Sequence, residues 1–338
     1  MKATIKEVAK SAGVSIATVS LVVNNSERIS PETKRRVLRS IRNLNYIPTK
    51  SARDLASQKT GNIGFILTYD HFLRTEPFYT RIFLGSEFEA REGEYYILLT
   101  TVKSDFKSGD SLPRFVLDKS VDGIIIAGKI PDVLIKKLNE SEIPLVYVDF
   151  VPPYGSYPLV LIDNISGGTK ATEHLLNLGH KKIGFIAGDV DHPSIKERLI
   201  GYKTALEKAG VRFNSECVIS ETPYPDRQNG YLSAQKLFDR CRGITAIFAC
   251  NDAMAIGAMQ FLRGKGYKIP RDVSIVGFDD VEADLMIDPP LTTIRVPKIE
   301  LGVESFRIMV QNLKQKKTVS KKILIPVELI VRKSTQSI

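Results

Sequence analysis

The stretch "TIKEVAKSAGVSIATVSLVVNN", residues 4–25, decides how the start of the chain folds. Thr4 and Glu7 have the spacing of a capping box, and Ile5, Val8, Ala9 and Ala12 then recur on one helical face. Gly13 is placed to stop that helix in the left-handed conformation. Ser15 is placed to cap a second helix, in which Val19, Val22 and Val23 share a face, and Asn24-Asn25-Ser26 ends it. Two short helices separated by a glycine-containing turn predict a helix-turn-helix, which offers the N-terminal end of its second helix to the DNA major groove. Ser30-Pro31 then opens a third helix, with Val37, Leu38, Ile41 and Leu44 as its buried stripe.

Charge agrees with that reading. Up to residue 60 the chain carries twelve Lys and Arg against four Asp and Glu, whereas the other 278 residues carry 36 against 34. A small basic head on a nearly neutral body points to a polyanion as the partner of the head. Ser15, Ile16, Ala17 and Thr18 occupy the leading end of the second helix. Thr18 and Ser20 offer hydroxyls, and the free amides of the helix end suit a phosphate. Ile16 and Ala17 suit a thymine methyl; the other reading of Ile16 is packing against helix 1.

From residue 62 apolar runs alternate with amphipathic stretches. Strands are expected at 63–67, 95–100, 123–127, 145–149, 182–188, 246–250 and 273–279, with helices at 78–92, 131–140, 165–178, 196–209, 229–241, 252–265 and 298–315. Alternating β and α elements with continuous apolar strands mean parallel sheets covered on both faces. The strands are too many for one compact sheet, so two doubly wound α/β halves are expected. They divide near "LVLIDN", 159–164, and later strands near "TTIRVP", 292–297, and "ILIPVELIVR", 323–332, cross back.

Such halves enclose a cleft at the carboxyl ends of their strands. Polar residues collect there: Asp149, Asp163-Asn164, Asp189, Asn251-Asp252 and Asp279-Asp280. Each is a helix cap or a ligand contact; Asp279 follows a strand without an immediate helix, which favours ligand contact. Arg198, in "ERLIGY", is either a ligand contact across the cleft or a solvated surface cation.

Composition narrows the remaining classes. The 43% hydrophobic and 25% charged content fits a globular protein. No run of eighteen apolar residues or apolar leader is present, so a cytoplasmic protein with no membrane partner is expected. The three cysteines, Cys217, Cys241 and Cys250, show no paired spacing and are expected to be reduced and inert. No HExxH or CxxC motif occurs and histidine is limited to four residues, so neither metal nor cofactor is expected. The chain lacks GxGxxG, GxSxG and a P-loop, which weighs against an enzyme on the same α/β body. A secreted sugar receptor would fit the body but not the basic head.

"TIKEVAKSAGVSIATVSLVVNN", followed by "LNYIPTKSARDLA", resembles the lactose-repressor/galactose-repressor family of bacterial transcription regulators. The likeness continues through "DNISGGTKATEHLLNLGHKKIGFIAG", "ERLIGY", "FACNDAMAIGAM", "VSIVGFDD" and "PPLTTIRVP", and so covers nearly the whole chain. It implies a helix-turn-helix domain at 1–49, a hinge at 50–60 and an effector-binding and dimerisation domain at 61–338 of periplasmic-binding-protein-like fold. The N-subdomain would comprise about 61–161 with 292–322, and the C-subdomain about 162–291 with 323–338. The implied DNA contacts are Thr4, Ser15, Ile16, Ala17, Thr18, Ser20, Leu21, Asn24, Tyr46, Arg53 and Leu55. Leu21 stands where many members have arginine, and Thr49 where asparagine is usual.

The segment "SARDLASQKTG", 51–61, is too short to hold as an isolated helix. The resemblance implies that it orders only on operator DNA, where Leu55 wedges into a minor-groove step and kinks the duplex. The alternative is that Leu55 docks on the body.

The effector contacts implied by the resemblance are Phe78, Tyr79, Asp149, Ser194, Arg198, Tyr224, Asn251 and Asp279. Arginine and aspartate with aromatic walls suit a sugar or sugar derivative. The expected function is a DNA-binding regulator, a repressor, whose affinity for a pseudo-palindromic operator is set by that effector. The alternative is a corepressor- or protein-partner-dependent regulator. A homodimer is expected, because no heptad leucines follow the last strand to build a helical bundle. Phe78, Ile82, Phe83 and Phe88 are candidate interface residues, although core packing explains some of them.

Overall fold

The computed structural model describes residues 3–23, 28–46, 59–73, 77–222, 224–315 and 320–338. Contacts divide the chain into two units, Met1–Gly61 with Ser120–Asp122, and Asn62–Lys119 with Gly123–Ile338.

In the first unit, α1 (Ile5–Ala12), α2 (Ile16–Val23) and α3 (Pro31–Asn43) form a small helical core around Val8, Val19 and Val37, all fully buried. The capping box closes as expected: the Glu7 amide donates to Thr4 Oγ1 at 3.4 Å, and the Thr4 amide to Glu7 Oε2 at 2.7 Å. Gly13 takes φ 61°, a conformation that lets the chain turn into α2 with no Cβ penalty. Two details differ from expectation. Leu38 is exposed and Ser40 takes the buried place, donated to by Ser11 Oγ at 3.1 Å. Tyr46, expected at DNA, packs into this core, because the chain folds back after α3 with the Tyr46 amide bonded to Ile41 O.

The second unit holds twelve strands and ten helices in the order β1 (Asn62–Thr68), α4 (Tyr69–Leu73), α5 (Phe78–Glu92), β2 (Tyr96–Val102), α6 (Arg114–Leu117), β3 (Gly123–Ala127), α7 (Asp132–Glu140), β4 (Leu145–Val148), β5 (Leu159–Ile162), α8 (Asn164–Asn177), β6 (Ile183–Ile186), α9 (Pro193–Lys208), β7 (Val218–Ile219), α10 (Arg227–Arg240), β8 (Ala246–Ala249), α11 (Asp252–Gly264), β9 (Ser274–Val276), α12 (Ala283–Met286), β10 (Thr293–Arg295), α13 (Lys298–Gln315), β11 (Lys322–Ile325) and β12 (Glu328–Ile330), counted among the described residues. A parallel six-stranded sheet, β11-β5-β4-β3-β1-β2, forms one half, and a parallel four-stranded sheet, β7-β6-β8-β9, the other. The central strands are buried throughout, as in "GIIIA" of β3 and "AIFA" of β8, which is why they read as unbroken apolar runs.

Both crossings back between the halves fall later than expected. Thr292 bridges Val276 and Arg295 bridges Asp279, so the chain stays at the edge of the second sheet through Arg295 rather than leaving at 291. β11 pairs with β5 from Lys322↔Leu159 to Ile325↔Ile162 and belongs to the first half rather than the second. Pro326 then interrupts "ILIPVELIVR" because it has no amide to donate, and β12 pairs antiparallel with β10.

One further expectation is corrected and another is narrowed. Cys217 and Cys241 are not reduced thiols but a disulfide pair with Cα atoms 5.1 Å apart. Twenty-four residues separate them, and only the packing of α10 against the turn Ser215–Cys217 brings them within bonding reach. Phe78 and Ile82 are buried and Phe83 packs on the same core, so of the four candidate interface residues Phe88 alone is exposed. The reason is that α5 lies against α13 over glycine: a Cβ on Gly302 would stand 2.0 Å from Ile82 O.

Candidate functional site

Within the head, Ser15 caps α2: the Thr18 amide donates to Ser15 Oγ at 3.1 Å, and the two hydroxyls lie 2.9 Å apart. Val19 and Val22 turn into the core, and this rotation fixes what faces outward: Ser15, Ile16, Ala17 and Leu21. Ile16 is 44% exposed and so does not pack against α1. Thr18 and Ser20 are half-buried beside them, and Thr4 is occupied by its capping box. Asn24, Arg53 and Leu55, with residues 50–58 of the hinge, lie outside the described residues.

In the body, a cavity of about 850 Å³ opens at the carboxyl ends of both parallel sheets. All eight expected effector contacts line it: Phe78, Tyr79, Asp149, Ser194, Arg198, Tyr224, Asn251 and Asp279. Asp149 follows β4 at φ 54° and Asp279 follows β9 at φ 121°, both in backbone regions that L-residues rarely adopt. Such conformations cost about 1–3 kcal/mol each and persist where the surroundings over-determine them.

Asp149 joins the two halves. Tyr79 Oη donates to its Oδ2 at 3.0 Å from the first half, and Ser194 Oγ to its Oδ1 at 2.7 Å from the second. Burial next to the Asp149 carboxylate raises the Tyr79 phenol well above its ordinary pKa, so Tyr79 is a donor. Lys129 and Asp189 make a second link across the cleft at 3.4 Å.

Arg198 is held on every side. Its Nε donates to Asn164 Oδ1 at 2.9 Å and its Nη1 to Cys250 O at 2.6 Å, while its Cζ lies 3.6 Å from the Phe278 ring centroid. Its Nη2 stands 3.6 Å from Asp279 Oδ1, an ion pair too long for a hydrogen bond. Gly168 permits this placement: a Cβ there would meet Arg198 O at 2.3 Å, so α8 approaches the backbone of α9 only without one. Asp279 is 9% exposed, and its Oδ1 has no hydrogen-bond donor. Burial pushes its pKa up to about 7 in spite of Arg198.

Several carboxyl-end residues have other work. Asp163 caps α8, accepting from the Ser166 amide at 3.0 Å, and Asn164 orients Arg198. Asn251 caps α11, accepting from the Met254 amide at 2.9 Å, and its Nδ2 donates to Pro225 O at 2.8 Å. Asp252 is fully buried, accepts from Thr293 Oγ1 at 2.6 Å, and does not line the cavity. Asp280 pairs with Arg295 and Arg332 outside the cavity lining.

Sequence reasoning missed His71 and His192. Both line the cavity from opposite halves, with ring centroids 6.4 Å apart. Burial lowers the His71 pKa to about 4 and also lowers that of His192, so both imidazoles are neutral near pH 7. Their positions after β1 and at the N-cap of α9 were the available signal, since strand and helix ends converge on the cleft.

A helix-turn-helix head together with a two-lobed α/β body around a polar cleft defines a ligand-responsive DNA-binding protein. Residues 4–49 match the family described as "Bacterial regulatory proteins, lacI family", and residues 172–335 match the "Periplasmic binding protein-like domain". The chain is 34% identical over 337 residues to the HTH-type transcriptional repressor PurR of Pasteurella multocida, covering 99% of each chain. It superposes on the CelR–cellobiose complex with a TM-score of 0.75 at 32% identity, covering 98% of this chain and 99% of that one. It superposes on the lac repressor dimer bound to operator and the anti-inducer ONPF with a TM-score of 0.78 at 27% identity, covering 100% of both. The chain therefore belongs to the lacI family of bacterial regulatory proteins and is a DNA-binding transcriptional regulator.

Proposed function

We propose that this regulator binds a pseudo-palindromic operator as a homodimer and that a small effector, a sugar or sugar derivative, sets its operator affinity from the body cavity. The observation that carries the reading is the Asp149 junction. One carboxylate accepts from Tyr79 of the first half and Ser194 of the second, so a ligand hydroxyl that competes for it changes how the halves are joined. Asp279 and Arg198 supply a buried acceptor and its counter-ion beside that junction. The complex of a relative with cellobiose supports a carbohydrate as the chemical class.

On this reading residues 1–49 carry DNA binding, 50–60 the hinge, and the remainder the effector and dimer functions. Ser15, Ile16, Ala17, Thr18, Ser20 and Leu21 meet the major groove, and Leu55 the central minor-groove step. Exposed Phe88, Tyr96 and Leu99 offer apolar surface for the partner copy. Among the described residues no helix is long and apolar enough to cross a membrane, which supports a cytoplasmic place for a protein that meets DNA. The relatives are regulators, which supports a ligand returned unchanged rather than turned over.

Footprinting on genomic fragments with and without candidate sugars tests the proposal. The expected result is a footprint with dyad symmetry, protected by a sedimenting dimer and altered by a ligand. An asymmetric footprint, or operator affinity that no cavity-binding ligand alters, would refute it.

A further inference from the structure

The hydrogen-bonding inventory of the cavity is one-sided. Among the described residues two lysine or arginine side chains line it, Lys129 and Arg198. Lys129 is paired with Asp189 at 3.4 Å. Arg198 spends Nε on Asn164 and Nη1 on Cys250 O, and its Nη2 faces Asp279. Burial keeps both lining histidines neutral near pH 7 and adds no cation.

Carboxylates, by contrast, are plentiful. Asp70, Asp132, Asp149, Asp189, Asp191 and Asp279 all line the cavity, joined by Asp226, which caps α10, and by Glu221, which is paired with Lys236 and Arg240. Among them, Asp279 Oδ1 is a buried acceptor with no donor. Lys298 Nζ serves the Asp279 main-chain oxygen and not the carboxylate. A buried acceptor left without a donor favours any ligand that brings one. Hydroxyl and ammonium groups bring donors. A phosphate or carboxylate brings negative charge and acceptors into a region already rich in both.

We propose that the cavity selects an uncharged or amine-bearing polyhydroxyl ligand and excludes its phosphorylated and carboxylated forms. This rests on the reading of the cavity as the effector site. Like charges about 5 Å apart in a partly buried site repel strongly enough to weaken an anionic ligand by about 100-fold relative to its neutral parent.

The test compares ligands that share a skeleton and differ in charge: glucose, cellobiose and glucosamine against glucose 6-phosphate and glucuronate, with inorganic phosphate as a further probe. Each is titrated into the full-length protein by thermal shift and calorimetry. The expected result is stabilisation by a neutral or amine-bearing member, and none by its anionic counterpart or by millimolar phosphate. Titrated at about pH 8, where the Asp279 carboxyl is largely ionised, Asp279→Asn should narrow the neutral-to-anion preference at least several-fold, because it removes one buried negative charge. Stabilisation by glucose 6-phosphate, glucuronate or phosphate that Arg198→Gln abolishes would overturn the proposal, as would an unchanged preference in Asp279→Asn. A neutral sugar that binds without altering operator affinity would instead count against the effector reading and leave the charge selectivity standing.

Discussion

Replacing Asp279 by asparagine tests the electrostatics of the cleft directly. The carboxyl is almost wholly buried and its pKa stands at about 7, pushed there by desolvation that Arg198 only partly offsets. A carboxyl with a raised folded-state pKa contributes stability that is fully present below its unfolded value. That contribution falls as pH rises and is lost once the folded value is passed. With an unfolded value near 4, the loss between about pH 5 and about pH 8 amounts to about 3 kcal/mol. Asparagine keeps the shape and carries no titrating proton. Urea unfolding of wild type and Asp279→Asn across that range should therefore give curves that diverge, with the variant gaining on wild type as pH rises. Below about pH 7 the wild-type carboxyl is already protonated, so the variant deprives Arg198 of a counter-ion only at higher pH, an effect already contained in that pKa. Parallel profiles would refute the assignment of Asp279 as a buried, proton-binding carboxyl.

Arg198→Ala removes the cation beside Asp279 and strands two buried acceptors, Asn164 Oδ1 and Cys250 O; it should cost about 3–5 kcal/mol of stability and abolish the effector response in gel shifts while operator binding persists. Gly168→Ala places a methyl against Arg198 O; about 1–3 kcal/mol of overpacking should appear as a lowered melting temperature, with weakened ligand affinity by calorimetry as the sign that Arg198 has moved. Leu55→Ala should lower specific operator affinity and relax preference at the central base step, while salt-sensitive non-specific binding stays nearly constant; an unchanged ratio of operator to scrambled-DNA affinity would remove the wedge reading.

Local pattern made much of this protein legible before any coordinates. The Thr4–Glu7 box, Gly13 and Ser15 are interactions between near neighbours, so spacing alone reveals them. The strands of the body are buried on both faces, so their apolar runs stand out, and the carboxyl ends of parallel strands converge wherever two such sheets meet. That rule placed Asp149, Arg198 and Asp279 in one cavity through a chain separation of more than a hundred residues. What sequence could not supply depends on distance across the fold. Leu38 and Tyr46 exchange the expected outside and inside because the return of the chain after α3, not helical period, decides which is covered. The membership of β11 rests on backbone hydrogen bonds to β5, which carry no side-chain signature. The Cys217–Cys241 bond joins residues whose local contexts say nothing of each other. The raised pKa of Asp279 follows from desolvation, a property of everything packed around the group, and so exists only once the two halves have folded.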